Sequence, residues 1–146
     1  MIVRRAQADD LDAWATLRAD LWPDGSTAEH RDEAADMLND ANLANFVAET
    51  PDGTLAGFAE AALRHDYVNG CDTTPVAFVE GIYVAPDYRK ADIARALCEA
   101  IVAWGREQGC TELASDALED NVQSHAFHRA IGFEETERVV YFRRML

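Results

Sequence analysis

The sequence predicts an α+β fold, one mixed β-sheet with helices on both faces. Two observations carry this. Strand-like and helix-like segments mix without the strict alternation of a doubly wound sheet. The run VAFVEGIYV at Val76–Val84 is apolar on both faces, as a central strand must be. A chain of 146 residues is long enough to bury a real core. No repeat, low-complexity tract or linker divides it, so residues 1–146 read as one domain.

Ile2–Arg5 reads as a short first strand. Asp9 or Asp10 can cap the next helix, in which Leu11, Trp14, Leu17 and Leu21 share a face. Trp22-Pro23-Asp24-Gly25 stops it. Ser26 with Glu29 forms a capping box for a second helix, with Ala34, Met37, Leu38 and Ala41 inward. Asn45–Glu49 is a strand, Pro51-Asp52-Gly53 a turn and Leu55–Arg64 the hairpin partner. His65–Thr74 is a polar loop. Pro86 ends the central strand. A helix then runs from about Asp92 to Gln108, with Ile93, Leu97, Ile101 and Trp104 in one stripe and Gly109 as its stop. Leu113–Ser115 is a short strand, and Asn121–Ala130 is a helix closed by Gly132. Phe133–Met145 makes one or two final strands.

The formal net charge is −14. Such a surface repels nucleic acid phosphates and attracts cations. Solubility alone and a polycationic substrate both fit that charge. No stretch approaches the roughly 20 apolar residues of a membrane span. The N-terminus lacks the apolar run and cleavage site of a signal peptide. Cys71, Cys98 and Cys110 have no CxxC spacing and are odd in number, which suits a reducing compartment. Cytoplasm is the expected location, and no metal site is visible.

Three segments carry chemistry. In Val79–Leu97 a helix N-terminus follows a strand. Free N–H groups and the positive end of the helix dipole there suit a pyrophosphate. Arg89 and Lys90 add positive charge, although an ordinary strand–helix turn reads the same way. In Asn121–Phe133, Asn121 can cap a helix in which Ser124, Phe127 and His128 follow. Glu80 is a carboxylate inside an apolar strand, costly unless it is paired or serves a site. Gly81 beside it permits a bulge or a close backbone approach. An edge position or a salt bridge to Arg64 would explain Glu80 structurally.

In order and spacing these segments resemble the GCN5-related N-acetyltransferase (GNAT) superfamily across essentially the whole chain. The resemblance implies the GNAT fold and acetyl-CoA as co-substrate. It also implies that Ile82, Tyr83 and Val84 lie along the pantetheine, with backbone N–H groups near Ile82 facing the developing oxyanion. The superfamily's R/Q-x-x-G-x-G/A phosphate loop corresponds here to Arg89, Lys90, Ala91, Asp92, Ile93 and Ala94. Asn121, Ser124, His128 and Gly132-Phe133 fall where the superfamily has its late cofactor-binding helix. A narrower resemblance lies in Trp22-Pro23, RHDYVNGCD at Arg64–Asp72, FVEGIYV, ASD at Ala114–Asp116 and GFEETERV at Gly132–Val139. These segments are similar to the aminoglycoside 6′-N-acetyltransferases, which confer antibiotic resistance, and two of them lie outside the acetyl-CoA motifs.

That resemblance implies acidic groups that bind an aminoglycoside and accept the amine proton. Asp116 and Glu80 are the candidates, with Tyr67 orienting the substrate. Trp22 would offer a ring face, and Asp72, Glu135 and Glu137 would widen the acidic lining. A homodimer is the family tendency. Two positions depart from the pattern. Asp92 stands at a usual glycine, where its side chain can crowd and repel a pyrophosphate or serve as a helix cap. His128 stands where many members have a tyrosine that protonates the leaving thiolate. A GNAT acting on polyamines or protein amines shares the cofactor motifs, and an acyl-CoA-binding module without catalysis is a further alternative.

Overall fold

The computed structural model describes residues 1–89 and 92–146, so the expectations for Lys90 and Ala91 lie outside the described residues. The elements are β1 (Ile2–Arg5), a 3-10 turn (Ala8–Asp10), α1 (Leu11–Leu21), α2 (Thr27–Met37), β2 (Leu43–Glu49) and β3 (Leu55–Arg64). After them come β4 (Val76–Val84), a second 3-10 turn (Pro86–Tyr88), α3 (Ile93–Glu107), β5 (Leu113–Ala114) and α4 (Val122–Ala130). The sheet runs in the order β1-β2-β3-β4-β5. Its first three pairings are antiparallel, and β4 pairs with β5 in parallel. That parallel pairing needs a crossover, which α3 supplies.

Neighbouring side chains on β3 point to opposite faces, and this separates the two larger clusters of the core. Phe58 joins Leu11, Trp14, Leu17 and Ala34 under α1 and α2. Ala59 faces the other way, onto the side where Ile93, Leu97, Ile101 and Trp104 of α3 pack over Val79. The stripe read along the third helix is therefore its buried face. At about 25 cal/mol per Å², each such fully buried large side chain contributes about 1.5–3 kcal/mol.

Several local expectations need correction. Ser26 does cap α2, accepting from the Glu29 N–H at 3.1 Å. Asp10, at the start of α1, makes no side-chain cap bond. Its carboxylate instead takes two bonds from Arg4, at 2.8 and 2.9 Å, and one from the Gln7 N–H at 2.8 Å. The second helix stops at Met37, and Ala41 is exposed. Asp40 accepts from the Asn42 N–H at 2.9 Å, a local turn bond that competes with another helical turn. Ser115 lies just beyond β5.

Residues 133–146 form no strand. Val139-Val140-Tyr141-Phe142 is apolar on both faces, which suits a strand covered on both sides. No strand of the chain pairs with this segment among the described residues, so its backbone groups lack the ladder that a strand requires. Phe142 is 91% exposed.

Candidate active site

The cleft originates in a mismatch between two strands. β4 meets β5 only at Ala77–Leu113 and Phe78–Ala114. From Val79 onward β4 departs from its parallel neighbour, and a groove opens between it, Ser115–Ala117 and α4. On its other side β4 stays paired with β3, but the register shifts. Gly81 pairs with Glu60 and Val79 with Ala61, so Glu80 is the extra residue of a bulge. The Glu80 side chain is exposed and paired with Arg64 at 3.0 Å. The structure thus shows both the salt bridge and the bulge, and Glu80 lines the cleft.

Across the groove, Ser115, Asp116, Asn121, Ser124 and His128 form the polar wall. The Asn121 Oδ1 caps α4 by accepting from the Ser124 N–H at 3.2 Å. Gly132 adopts φ +101°, which turns the chain so that the Phe133 N–H donates to the His128 carbonyl at 2.9 Å. The Phe133 ring then meets His128 edge-on, with centroids 5.3 Å apart.

Ile82 and Phe127 are shared with a second, more apolar trough, also lined by Tyr83, Val84, Arg89 and Ala94. Arg89 is fixed there by donating from Nε to the Val84 carbonyl at 2.9 Å, with its guanidinium 5.6 Å from the Tyr83 ring centroid. The two troughs make one path along the splayed strand to the start of α3. Ile93 is buried below that helix start and belongs to the core. Asp92 is exposed at the N-cap position but makes no side-chain cap bond. Its backbone is left-handed, at φ 55° and ψ 22°. The cap expected there is therefore corrected. The turn itself calls for positive φ, which glycine adopts freely and aspartate tolerates at a cost.

Trp22 forms the far wall. A buried polar cluster holds it. The Arg18 guanidinium lies 4.9 Å from the indole and donates to both oxygens of buried Glu60. The Trp14 indole N–H also donates to Glu60, at 3.0 Å. Glu33 accepts from Arg18 at 2.6 Å. His30 Nε2 donates to the Trp22 carbonyl at 2.8 Å, which leaves Nδ1 to accept from Arg18 Nε at 3.4 Å. Burial pushes the Glu60 carboxyl above the usual range, against the pull of Arg18 and Trp14.

The structure gathers Trp22, Glu80, Asp116, Asn121, Ser124 and His128 with Ile82 at one cleft. Tyr67, Asp72, Glu135 and Glu137 do not line it. Tyr67 is 75% exposed on the loop before β4. In that loop the Asp72 N–H donates to Glu112. Glu135 pairs with Arg138 at 2.6 Å, which holds its carboxyl below the ordinary value. Sequence reasoning missed Ser115 and Arg18. The signal for Arg18 was its place four residues after Trp14, on the buried face of α1.

Residues 11–133 match the model of the acetyltransferase (GNAT) family. An aminoglycoside N(6′)-acetyltransferase type 1 of Stenotrophomonas maltophilia is 52% identical, covering 99% of this chain and 93% of that protein. Its counterpart in Salmonella typhimurium is 44% identical, covering 99% of each. The solved structure of AAC(6′)-Iy in complex with the bisubstrate analogue CoA-S-monomethyl-acetylneamine superposes with a TM-score of 0.92 at 43% identity, over 99% of this chain and 98% of that one. AAC(6′)-Ih from Acinetobacter baumannii gives 0.95 at 41% identity, over the same shares.

Proposed function

This chain belongs to the acetyltransferase (GNAT) family, and we propose that it moves an acetyl group from acetyl-CoA to the 6′-amine of aminoglycoside antibiotics. One observation carries the reading: two acidic residues, Glu80 and Asp116, line a cleft that is continuous with the apolar trough along β4 through Ile82 and Phe127. The trough suits an acyl-pantetheine arm. Its lining is apolar, and the β4 backbone edge beyond Val79 has no β5 partner. Arg89 and the start of α3 suit the pyrophosphate. Bound there, acetyl-CoA supplies an activated acyl group.

The chain's own residues have three tasks. Glu80 and Asp116 bind ammonium groups by charge-assisted hydrogen bonds, each about 1.5–3 kcal/mol net. The same charges raise the amine pKa, so one of them, directly or through a water, takes the first proton and frees the nitrogen lone pair. Backbone N–H groups near Ile82 face the oxyanion that forms on attack. Trp22, held by Arg18 and His30, offers a flat face to a sugar ring or cation. Tyr67, Asp72, Glu135 and Glu137 serve as outer contacts for the far rings of a large substrate.

Residues 1–146 are read as one acetyltransferase domain. The free thiols of Cys71, Cys98 and Cys110 favour the cytoplasm. A homodimer is favoured by the tail, where Val140, Tyr141, Phe142, Met145 and Leu146 are exposed together, more apolar surface than a monomer usually leaves bare.

Incubation with acetyl-CoA and a panel of kanamycin-type aminoglycosides, spermidine and basic peptides, read by mass spectrometry, tests the reading. An added acetyl group on the aminoglycosides is expected. Product on spermidine or peptides alone would overturn the substrate class.

A further inference from the structure

We propose that Ser115 and His128 form a proton relay for this transfer; the proposal rests on the acetyltransferase reading above. His128 Nδ1 lies 2.6 Å from the Ser124 carbonyl oxygen, which can only accept. Nδ1 therefore carries a hydrogen. In the neutral ring that leaves the lone pair on Nε2, which lies 2.7 Å from Ser115 Oγ. The Ser115 hydroxyl thus donates to Nε2, and its own lone pairs stay free to accept. Ser124 Oγ, 3.2 Å from Nδ1, adds a second oxygen to a ring that becomes positive. The Phe127 and Phe133 rings meet the imidazole edge-on, at 5.9 and 5.3 Å, and fix its plane. Both members of the pair line the cleft, and Glu80 and Asp116 are the charged side chains that line it with them among the described residues.

The reaction leaves a task for such a pair. An ammonium group loses two protons on becoming an amide. The first goes to solvent by way of Glu80 or Asp116 before attack. The second leaves the nitrogen after the N–C bond has formed. It passes to Ser115 Oγ while the Ser115 proton passes to His128 Nε2. The C–S bond breaks with its electron pair on sulfur. The imidazolium then returns a proton through Ser115 to the thiolate, so the pair ends as it began and the products are the amide and the free thiol. Ser115 is the member that touches the reacting atoms. His128 acts through it.

Single-turnover acetylation of kanamycin A across pH tests the relay with three variants. His128→Gln keeps an acceptor for the Ser115 hydroxyl but cannot be protonated. It is expected to slow the transfer about 100-fold or more, as loss of an acid–base group does, and to remove one ionisation from the pH profile. Ser115→Ala is expected to do the same, and Ser115→Thr to retain most of the rate. The double variant should be no slower than either single one. Nitrogen NMR of the free protein should show His128 protonated at Nδ1. A Ser115→Ala or His128→Gln rate within twofold of wild type, or a loss confined to acetyl-CoA KM or thermal stability, overturns the relay alone. A wild type that acetylates spermidine but no aminoglycoside, with both variants slowed, overturns the substrate reading alone. A wild type inactive on every amine overturns both.

Discussion

The Trp22 indole occupies the space that a side chain on Gly81 would need. A Cβ built on Gly81 comes within 2.6 and 2.7 Å of two indole carbons. Gly81 also sits beside the bulge that turns Glu80 toward the cleft. One glycine therefore sets the distance between the far wall and the strand.

Gly81→Ala should force the indole from its present position, at a cost in its packing against Arg18, His30 and Phe58, because the added Cβ takes the space of two indole carbons. The aminoglycoside KM is expected to rise about tenfold, equivalent to about 1.4 kcal/mol, with a smaller change for acetyl-CoA. Steady-state kinetics for both substrates check this.

The Arg18–Glu60 pair is buried, and truncating one partner strands the other charge. Glu60→Leu or Arg18→Met is expected to destabilise the fold by about 3–5 kcal/mol in denaturant unfolding. The double variant should recover much of that loss in stability while the aminoglycoside KM stays raised, because the guanidinium under Trp22 is absent. Full recovery of both would show that Arg18 does not position the indole.

Asp92→Gly is expected to stabilise the protein by about 1 kcal/mol. It relieves a left-handed residue and sacrifices no side-chain cap bond. Asp92→Asn keeps a residue that tolerates this backbone and removes the charge, so its effect on acetyl-CoA affinity reports repulsion alone. Thermal unfolding and calorimetric titration separate the two effects.

Asp10 gives the fold an acid-sensitive contact. Hydrogen bonds from Arg4 and the Gln7 N–H hold its carboxyl below the ordinary value of 3.8. A depressed folded-state pKa contributes stability that is fully present above the unfolded value. That stability is lost as pH falls through the folded value. Asp10→Asn should therefore lower Tm at pH 7, and the gap to wild type should shrink below about pH 4. A gap that widens on acidification would contradict this.

How far the chain could be read in advance depended on the kind of signal. The bounds of β1, β3 and β4 were legible because short apolar runs are closed by turn residues such as Pro51-Asp52-Gly53 and Pro86. The α3 stripe was legible because its spacing is helical. At the site, Glu80, Asp116 and His128 were found through motif and resemblance. Ser115 was not, because a serine after a strand carries no signal until the imidazole across the cleft is seen. Arg18 and Glu60 were missed because each looks ordinary alone, and their meaning lies in a contact between residues 42 positions apart. The C-terminal segment was misread because apolar content marks strand competence and says nothing of whether a neighbouring strand is at hand.

Kanamycin A and an analogue bearing a 6′-hydroxyl, each incubated with acetyl-CoA and this protein, should differ sharply. Mass spectrometry and NMR should place a single acetyl group on the 6′-nitrogen of kanamycin A and find the analogue unmodified. Equal acetylation of both compounds, or product only at the 3- or 2′-amine, would contradict the assignment.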